Sequence, residues 1–190
     1  MTAAAEPQGS AAARGRLIVL DTNVWLDIHY FRDPQAQSLA VALESPRWAA
    51  ARCEQTDAEL TLVLKRPPFC SGPAQRSRLV ECLQSWQVRA LLFSLGDQAP
   101  CRCRDPHDQK FLDLAHAARA SLLLTKDKAL LALKASALRH GLMIVTPRQF
   151  ADQLLLPDER LEPGERPVPL VPDPIQGAPG LDQAPRLQRP

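Results

Sequence analysis

Four acidic residues carry the chemistry that this sequence can offer: Asp21, Glu59, Asp108 and Asp127. Asp21 follows directly on the apolar run Leu17-Ile18-Val19-Leu20, and Asp127 stands just beyond Leu122-Leu123-Leu124-Thr125. If both runs are strands of a parallel sheet, both carboxylates emerge at its carboxyl edge, where open α/β sheets bind ligands. Carboxylates crowded at one edge repel each other unless cations hold them. Mg²⁺ and Mn²⁺ take oxygen ligands of this kind. The pattern therefore points to a divalent-metal site.

Each acid also has a structural explanation. Asp21 suits the N-cap of a helix over residues 24–29, and Asp127 that of one over 128–133. Asp105-Pro106-His107-Asp108 reads as a helix start, with Asp105 as cap, Pro106 first and Asp108 third. Glu59 falls early in its helix, where a carboxylate favours the helix dipole by about 0.3–1 kcal/mol. Asp57 competes with Glu59, and Glu59 is preferred for its Leu-x-x-Val-Leu context. Asp113 lies well round the helix from Asp108, supporting from the side or facing solvent. Asp27, six residues beyond Asp21, is expected on an exposed face. Four acids together outweigh four separate structural excuses.

The elements that must position them follow from hydrophobic pattern. Residues 17–20 form an apolar run with no polar face, as expected of a parallel strand covered on both sides. Residues 88–93, 121–125 and 142–145 are further strand candidates. Helical patterns cover 57–65, 74–85, 107–118 and 147–155, the last with Thr146 as cap and Pro147 in first position. Such alternation argues for an open α/β sheet. Residues 1–15 have no hydrophobic period and read as a flexible arm. Residues 157–190 hold 9 of the chain's 18 prolines, which excludes helix and central strand, so 156–190 reads as a disordered tail. The folded unit expected is 16–155.

Composition narrows the classes. Of 190 residues, 45% are hydrophobic, enough for a core. A net charge of only +2 requires nucleic-acid contacts to come from a local patch. The five cysteines show no zinc or disulfide spacing and read as reduced thiols. No targeting segment or membrane span is evident, and a soluble cytoplasmic protein is expected.

Five blocks in order then carry a resemblance. Val19-Leu20-Asp21-Thr22-Asn23-Val24 resembles the opening motif of PIN-domain nucleases. The stretch Glu59-Leu60-Thr61-Leu62-Val63-Leu64-Lys65-Arg66-Pro67 resembles their second block. The third is matched by Arg104-Asp105-Pro106-His107-Asp108-Gln109-Lys110-Phe111-Leu112-Asp113, the fourth by Leu123-Leu124-Thr125-Lys126-Asp127-Lys128. Ile144-Val145-Thr146-Pro147-Arg148-Gln149-Phe150 resembles the closing strand and helix. The likeness is strongest to bacterial PIN proteins regarded as toxins of toxin–antitoxin pairs. It implies a three-layer α/β/α sandwich with a parallel sheet of four to five strands. It also implies an endoribonuclease using Mg²⁺ or Mn²⁺ on Asp21, Glu59, Asp108 and Asp127. Asn23, Thr125 and Asp105 would be supporting residues. RNA would be the substrate, an antitoxin protein a partner, and a homodimer the assembly.

Arg102, Arg104, Lys110, Lys126 and Lys128 flank the acidic blocks and are expected to bind RNA phosphates. Tyr30 and Phe31 are candidates to stack on a base, whereas Trp25 is expected in the core. A phosphotransferase with Asp21 as nucleophile is disfavoured, because Asn23 stands where a second Asp is needed. A nucleotide-binding enzyme lacks a Gly-rich loop after any strand. The remaining rival is a non-catalytic RNA-binding or interaction module on the same fold.

Overall fold

The computed structural model describes residues 16–67, 69 and 72–153. The expected arm and tail, and the last two residues of the expected final helix, lie outside the described residues. The sheet has five strands, all parallel: β1 (Arg16–Leu20), β2 (Trp48–Arg52), β3 (Ala90–Leu92), β4 (Leu122–Leu124) and β5 (Met143–Val145). Their order is β3-β2-β1-β4-β5. The chain steps from β1 outward through β2 to β3, then returns to the other side of β1. The topological switch point thus falls between β1 and β4, the crevice where such sheets bind ligands.

Alternation along the strands divides the interior into two layers. Ile18, Leu20, Ala50, Leu122, Leu124 and Val145 face one way. There they meet α1 (Thr22–Leu26), α2 (Pro34–Ala42), α3 (Glu54–Leu64), α4 (Pro73–Arg89) and α8 (Pro147–Gln153). Val19, Ala51, Leu123 and Ile144 face the other way, against α5 (Gln109–Ala117), α6 (Lys128–Leu131) and α7 (Lys134–Leu138). The result is a three-layer α/β/α sandwich. Trp25 is fully buried, edge-on to Trp86 at 4.6 Å, and Trp48 meets Phe150 at 5.1 Å.

Four of the five strands match the expected runs. β2, Trp-Ala-Ala-Ala-Arg, was not among the candidates, because three alanines carry no strand signal. Ala50 and Ala51 are nonetheless fully buried, since β2 is flanked by β1 and β3 and covered on both faces. The second candidate strand, 88–93, shrinks to Ala90–Leu92, because Val88 and Arg89 complete the last turn of α4. α3 begins at Glu54, three residues before the expected start, capped by a reciprocal pair in which the Cys53 N–H donates to Thr56 Oγ1 at 2.9 Å. Thr146 and Gln149 cap α8 reciprocally, the Gln149 N–H donating to Thr146 Oγ1 and the Thr146 N–H to Gln149 Oε1.

Phe150 anchors α8 on β2 through Trp48 and is fully buried. Phe150→Ala is expected to lower unfolding stability by about 3–5 kcal/mol in urea denaturation. A loss under about 1 kcal/mol would show that α8 is not part of the cooperative core.

Candidate active site

Each of the four acids leaves the carboxyl edge of a different strand. Asp21 follows β1, Glu59 lies in α3 after β2, Asp108 ends the connection from β3, and Asp127 follows β4. The centre is Asp21, only 4% exposed. β1 and β4 pair in register with Leu20 opposite Leu124, and the Asp21 N–H donates to the Leu124 carbonyl at 3.0 Å. The Thr125 hydroxyl then donates to Asp21 Oδ2 at 2.8 Å, and the Asn23 N–H reaches Asp21 Oδ1 at 3.2 Å. Thr125 Oγ1 also accepts from the Asp127 N–H at 2.9 Å. One hydroxyl therefore ties the two acids across the switch point. Asn23 contributes through its backbone, and its side chain is exposed.

Asp21 and Asp127 also cap helices. Asp21 Oδ1 caps α1, while Asp127 Oδ1 accepts from the Ala129 and Leu130 N–H groups at the start of α6. Capping takes one oxygen of each carboxylate: Asp21 Oδ2 accepts from the Thr125 hydroxyl, and the Asp127 cap uses Oδ1 alone. Glu59 has no such local purpose. It is the sixth residue of α3, beyond the first turn where the dipole acts. It lies two residues from Asp57, so about 100° per residue turns the two acids to nearly opposite sides of the helix. Asp57 is occupied by Arg52 Nη1 and Trp86 Nε1. Glu59 instead meets Lys110 of α5, Nζ to Oε2 at 2.9 Å.

The expected helix start at Asp105 shifts. α5 begins at Gln109 with Asp108 in the N-cap position, making no side-chain cap bond. Asp105 instead holds a preceding turn by accepting from the His107 N–H at 2.8 Å. The chain before Pro106 leaves the helical region readily, and the turn forms there. Asp113 braces the loop from below: Oδ1 accepts from the Ala99 N–H at 2.8 Å and from Gln109 Nε2 at 2.9 Å. Gln109 in turn holds Cys103 and Cys101 by their backbones.

The acids act on one another. Burial pushes the Asp21 carboxyl above its ordinary value; the Thr125 and Asn23 hydrogen bonds oppose this, and the charges of Glu59 and Asp127 add to it. Asp108 is pushed up to about 6, first by burial, then by Asp127, Asp105 and Asp21, with Lys110 pulling the other way. All four offer the oxygen donors that hard divalent cations take. Among the described residues, no three His, Cys, Asp or Glu side chains close into a ready-made cage for an ion.

This arrangement coincides with a known family. The PIN domain family model matches residues 17–129, more than half of the chain, including all four acids. The chain belongs to the PIN-domain family. No curated relative matches the sequence. Among solved structures, the crystal structure of VapBC2 from Rickettsia felis bound to a DNA fragment from their promoter aligns with a TM-score of 0.47 at 13% identity. That alignment covers 67% of this chain and 96% of that one.

Around the PIN centre, several side chains stand differently from expectation. Asp27 is buried rather than exposed: it opens a π-helical turn, Asp27–Phe31, and pairs with Lys126. Wide turns of this kind recur at functional sites, and no spacing in the sequence announces one. Lys126 also faces Asp33 at 4.0 Å, beside a cavity of about 190 Å³ lined by Gln35, Thr146 and Arg148. Tyr30 is buried against Phe69 and cannot stack on a base, whereas Phe31 is 55% exposed. Arg102, Arg104 and Lys128 are exposed, and Lys110 is turned inward. A larger cavity of about 530 Å³ opens at the opposite edge, by Ser121 and Leu142, and touches none of the four acids. No helix among the described residues is long and apolar enough to cross a membrane.

Two measurements follow from the raised carboxyls. In chelator at pH 7, Asp21→Asn removes a disfavoured buried charge and is expected to raise Tm by about 2–4 °C, the order produced by about 1 kcal/mol. A lower Tm would mean that Asp21 is a net structural support. For Asp108, the folded group keeps its proton up to about pH 6, while the unfolded group loses it near 3.8. The folded state thus binds more protons in between, and stability falls as pH rises across that window. Urea midpoints of Asp108→Asn and the parent chain should diverge between pH 4 and 6, with the variant gaining, then run parallel at higher pH. A constant offset would show that the charge is not disfavoured.

Proposed function

We propose that this PIN protein is a metal-dependent endoribonuclease that hydrolyses RNA phosphodiester bonds, with Asp21, Glu59, Asp108 and Asp127 as ligands for Mg²⁺ or Mn²⁺. The observation that carries the reading is a buried, hydrogen-bonded Asp21 at the switch point, coupled electrically to Glu59, Asp127 and Asp108. Crowded oxygen donors of this kind fit a hard divalent cation.

In this mechanism Asp21 and Asp127 hold the primary ion, and Glu59 and Asp108 complete the site or serve a second ion. A bound divalent ion supplies an activated water and positive charge opposite the charge that develops on the phosphate. The Thr125 hydroxyl and the Asn23 N–H keep the Asp21 carboxylate oriented. Asp105 sets the turn that presents Asp108. Arg102, Arg104, Lys126 and Lys128 steer the phosphate backbone toward the carboxylates. No side chain acts as nucleophile: water attacks the phosphorus and the 3′ oxygen leaves, so the products carry 5′-phosphate and 3′-hydroxyl ends, as the family resemblance implies. The proposal extends to the toxin role that the sequence resemblance implies. In that role the chain works in the cytoplasm, with an antitoxin protein as partner and a second copy as assembly mate, and residues 16–155 are the nuclease unit.

Purified protein is expected to cleave end-labelled RNA with Mn²⁺ or Mg²⁺, to stop with chelator, and to lose at least about 100-fold in rate on Asp21→Asn, as for removal of a key transition-state group. Products ending in 2′,3′-cyclic phosphate would overturn the mechanism. Absence of both cleavage and metal binding would overturn the nuclease reading in favour of an interaction module.

A further inference from the structure

Lysines at a protein surface usually extend their ammonium to water and bury only the stem. Lys110 does the reverse. Its side chain is 16% exposed, with Nζ 2.9 Å from Glu59 Oε2 and donating to the His107 carbonyl. The ammonium also stands 4.7 Å from the centre of the Phe111 ring. Glu59 Oε2 is buried and receives no aligned hydrogen bond, so this charge contact is what balances it. The contact joins α3 to α5, the two helices that carry Glu59 and, at its cap, Asp108.

From this geometry we infer that Lys110 is a tethered counter-cation: it neutralises the carboxylate cluster when no metal is bound, and a divalent ion must displace it from Glu59. The inference rests on the metal-centre reading above and adds a competitor to it. Two cations cannot occupy one face of Glu59. While Lys110 holds Oε2, the metal-competent arrangement is only a fraction of the population, and apparent metal affinity falls by that fraction. The same ion pair stabilises the empty site, where like charges would otherwise meet. Once displaced, the ammonium stays tethered beside the site by its position at the second residue of α5. It then faces the place where a substrate phosphate arrives. Lys110 thus changes partners between the empty and the loaded site, positioning Glu59 in one and an anionic substrate in the other.

Calorimetric titration with Mn²⁺ at a fixed pH of 7, on the full chain without RNA, tests this. Lys110→Met keeps length and helix propensity but removes the charge. It should bind Mn²⁺ more tightly, on the order of three- to tenfold, and should melt at lower temperature in chelator. Lys110→Arg should bind Mn²⁺ like the parent chain. Unchanged or weaker Mn²⁺ binding by Lys110→Met, with the parent chain binding normally, would overturn the inference and leave the metal centre standing. No Mn²⁺ binding by the parent chain would overturn both. The parent chain gives a second measure independent of any variant's folding: acylation of Lys110 by an amine-directed reagent, read by peptide mass spectrometry. Mn²⁺ should raise its reactivity several-fold over the chelated protein, and an unchanged rate would overturn the displacement.

Discussion

Negative charge gathered at the carboxyl edge of β1 and β4 is the condition that the surrounding structure has to manage. Asp21 is nearly removed from water, and Asp127 and Glu59 bear on it. A carboxylate in that position stays ordered only if neutral donors hold it. Thr125 is the main one, fully buried, donating to Asp21 and accepting from the Asp127 backbone. Because the register sets Leu20 opposite Leu124, the residues after the two strands have to meet, and a hydroxyl there bridges them. The parallel pairing of two apolar strands is thus what turns two acids far apart in sequence into one site.

Two lysines near this edge pair with acids in different ways. Lys126 reaches outward to Asp27 and Asp33, neither of them among the four site acids, and is 48% exposed. It tethers the Thr125–Asp127 loop to the turn after α1 without using a site carboxylate. Lys110 reaches inward and does use one. In the first kind a half-exposed lysine meets the buried Asp27, and the pair fixes loop geometry. A shielded pair of the second kind affects what else Glu59 can hold.

The legibility of this architecture in the sequence was uneven, for physical reasons. Runs such as Leu17–Leu20 are long, apolar and bounded by polar residues, so strand and edge were readable together. β2 was not, because its alanines are buried by neighbours on every side rather than by their own propensity. Asp21 and Asp127 could be placed at one edge from strand position alone. Glu59 and Asp108 needed the family likeness, since a helix's facing depends on where it starts, and α3 starts three residues early. Asp27 was misplaced because the turn after α1 widens into a π-helix, which rotates the side chain inward against Lys126. The inward turn of Lys110 depends on how α3 meets α5, a tertiary fact that no local pattern encodes.

On the proposed reading, the raised carboxyls favour a metal site over a retained scaffold. An interaction module gains nothing from burying Asp21 or from holding Asp108 at about 6, because each disfavoured charge subtracts from fold stability. Replacement by an amide would relieve that cost while keeping the hydrogen bond to Thr125 or the cap on α1. Disfavoured charges of this sort are a common mark of a site tuned for binding or catalysis rather than for stability. Helix capping alone does not explain it, since capping needs one carboxylate oxygen at Asp21 and Asp127 and none at Glu59. Asp21 and Asp127 meet at the switch point, Glu59 and Asp108 bear on them electrostatically, and the cation of the proposed function is a ligand that would relieve them together.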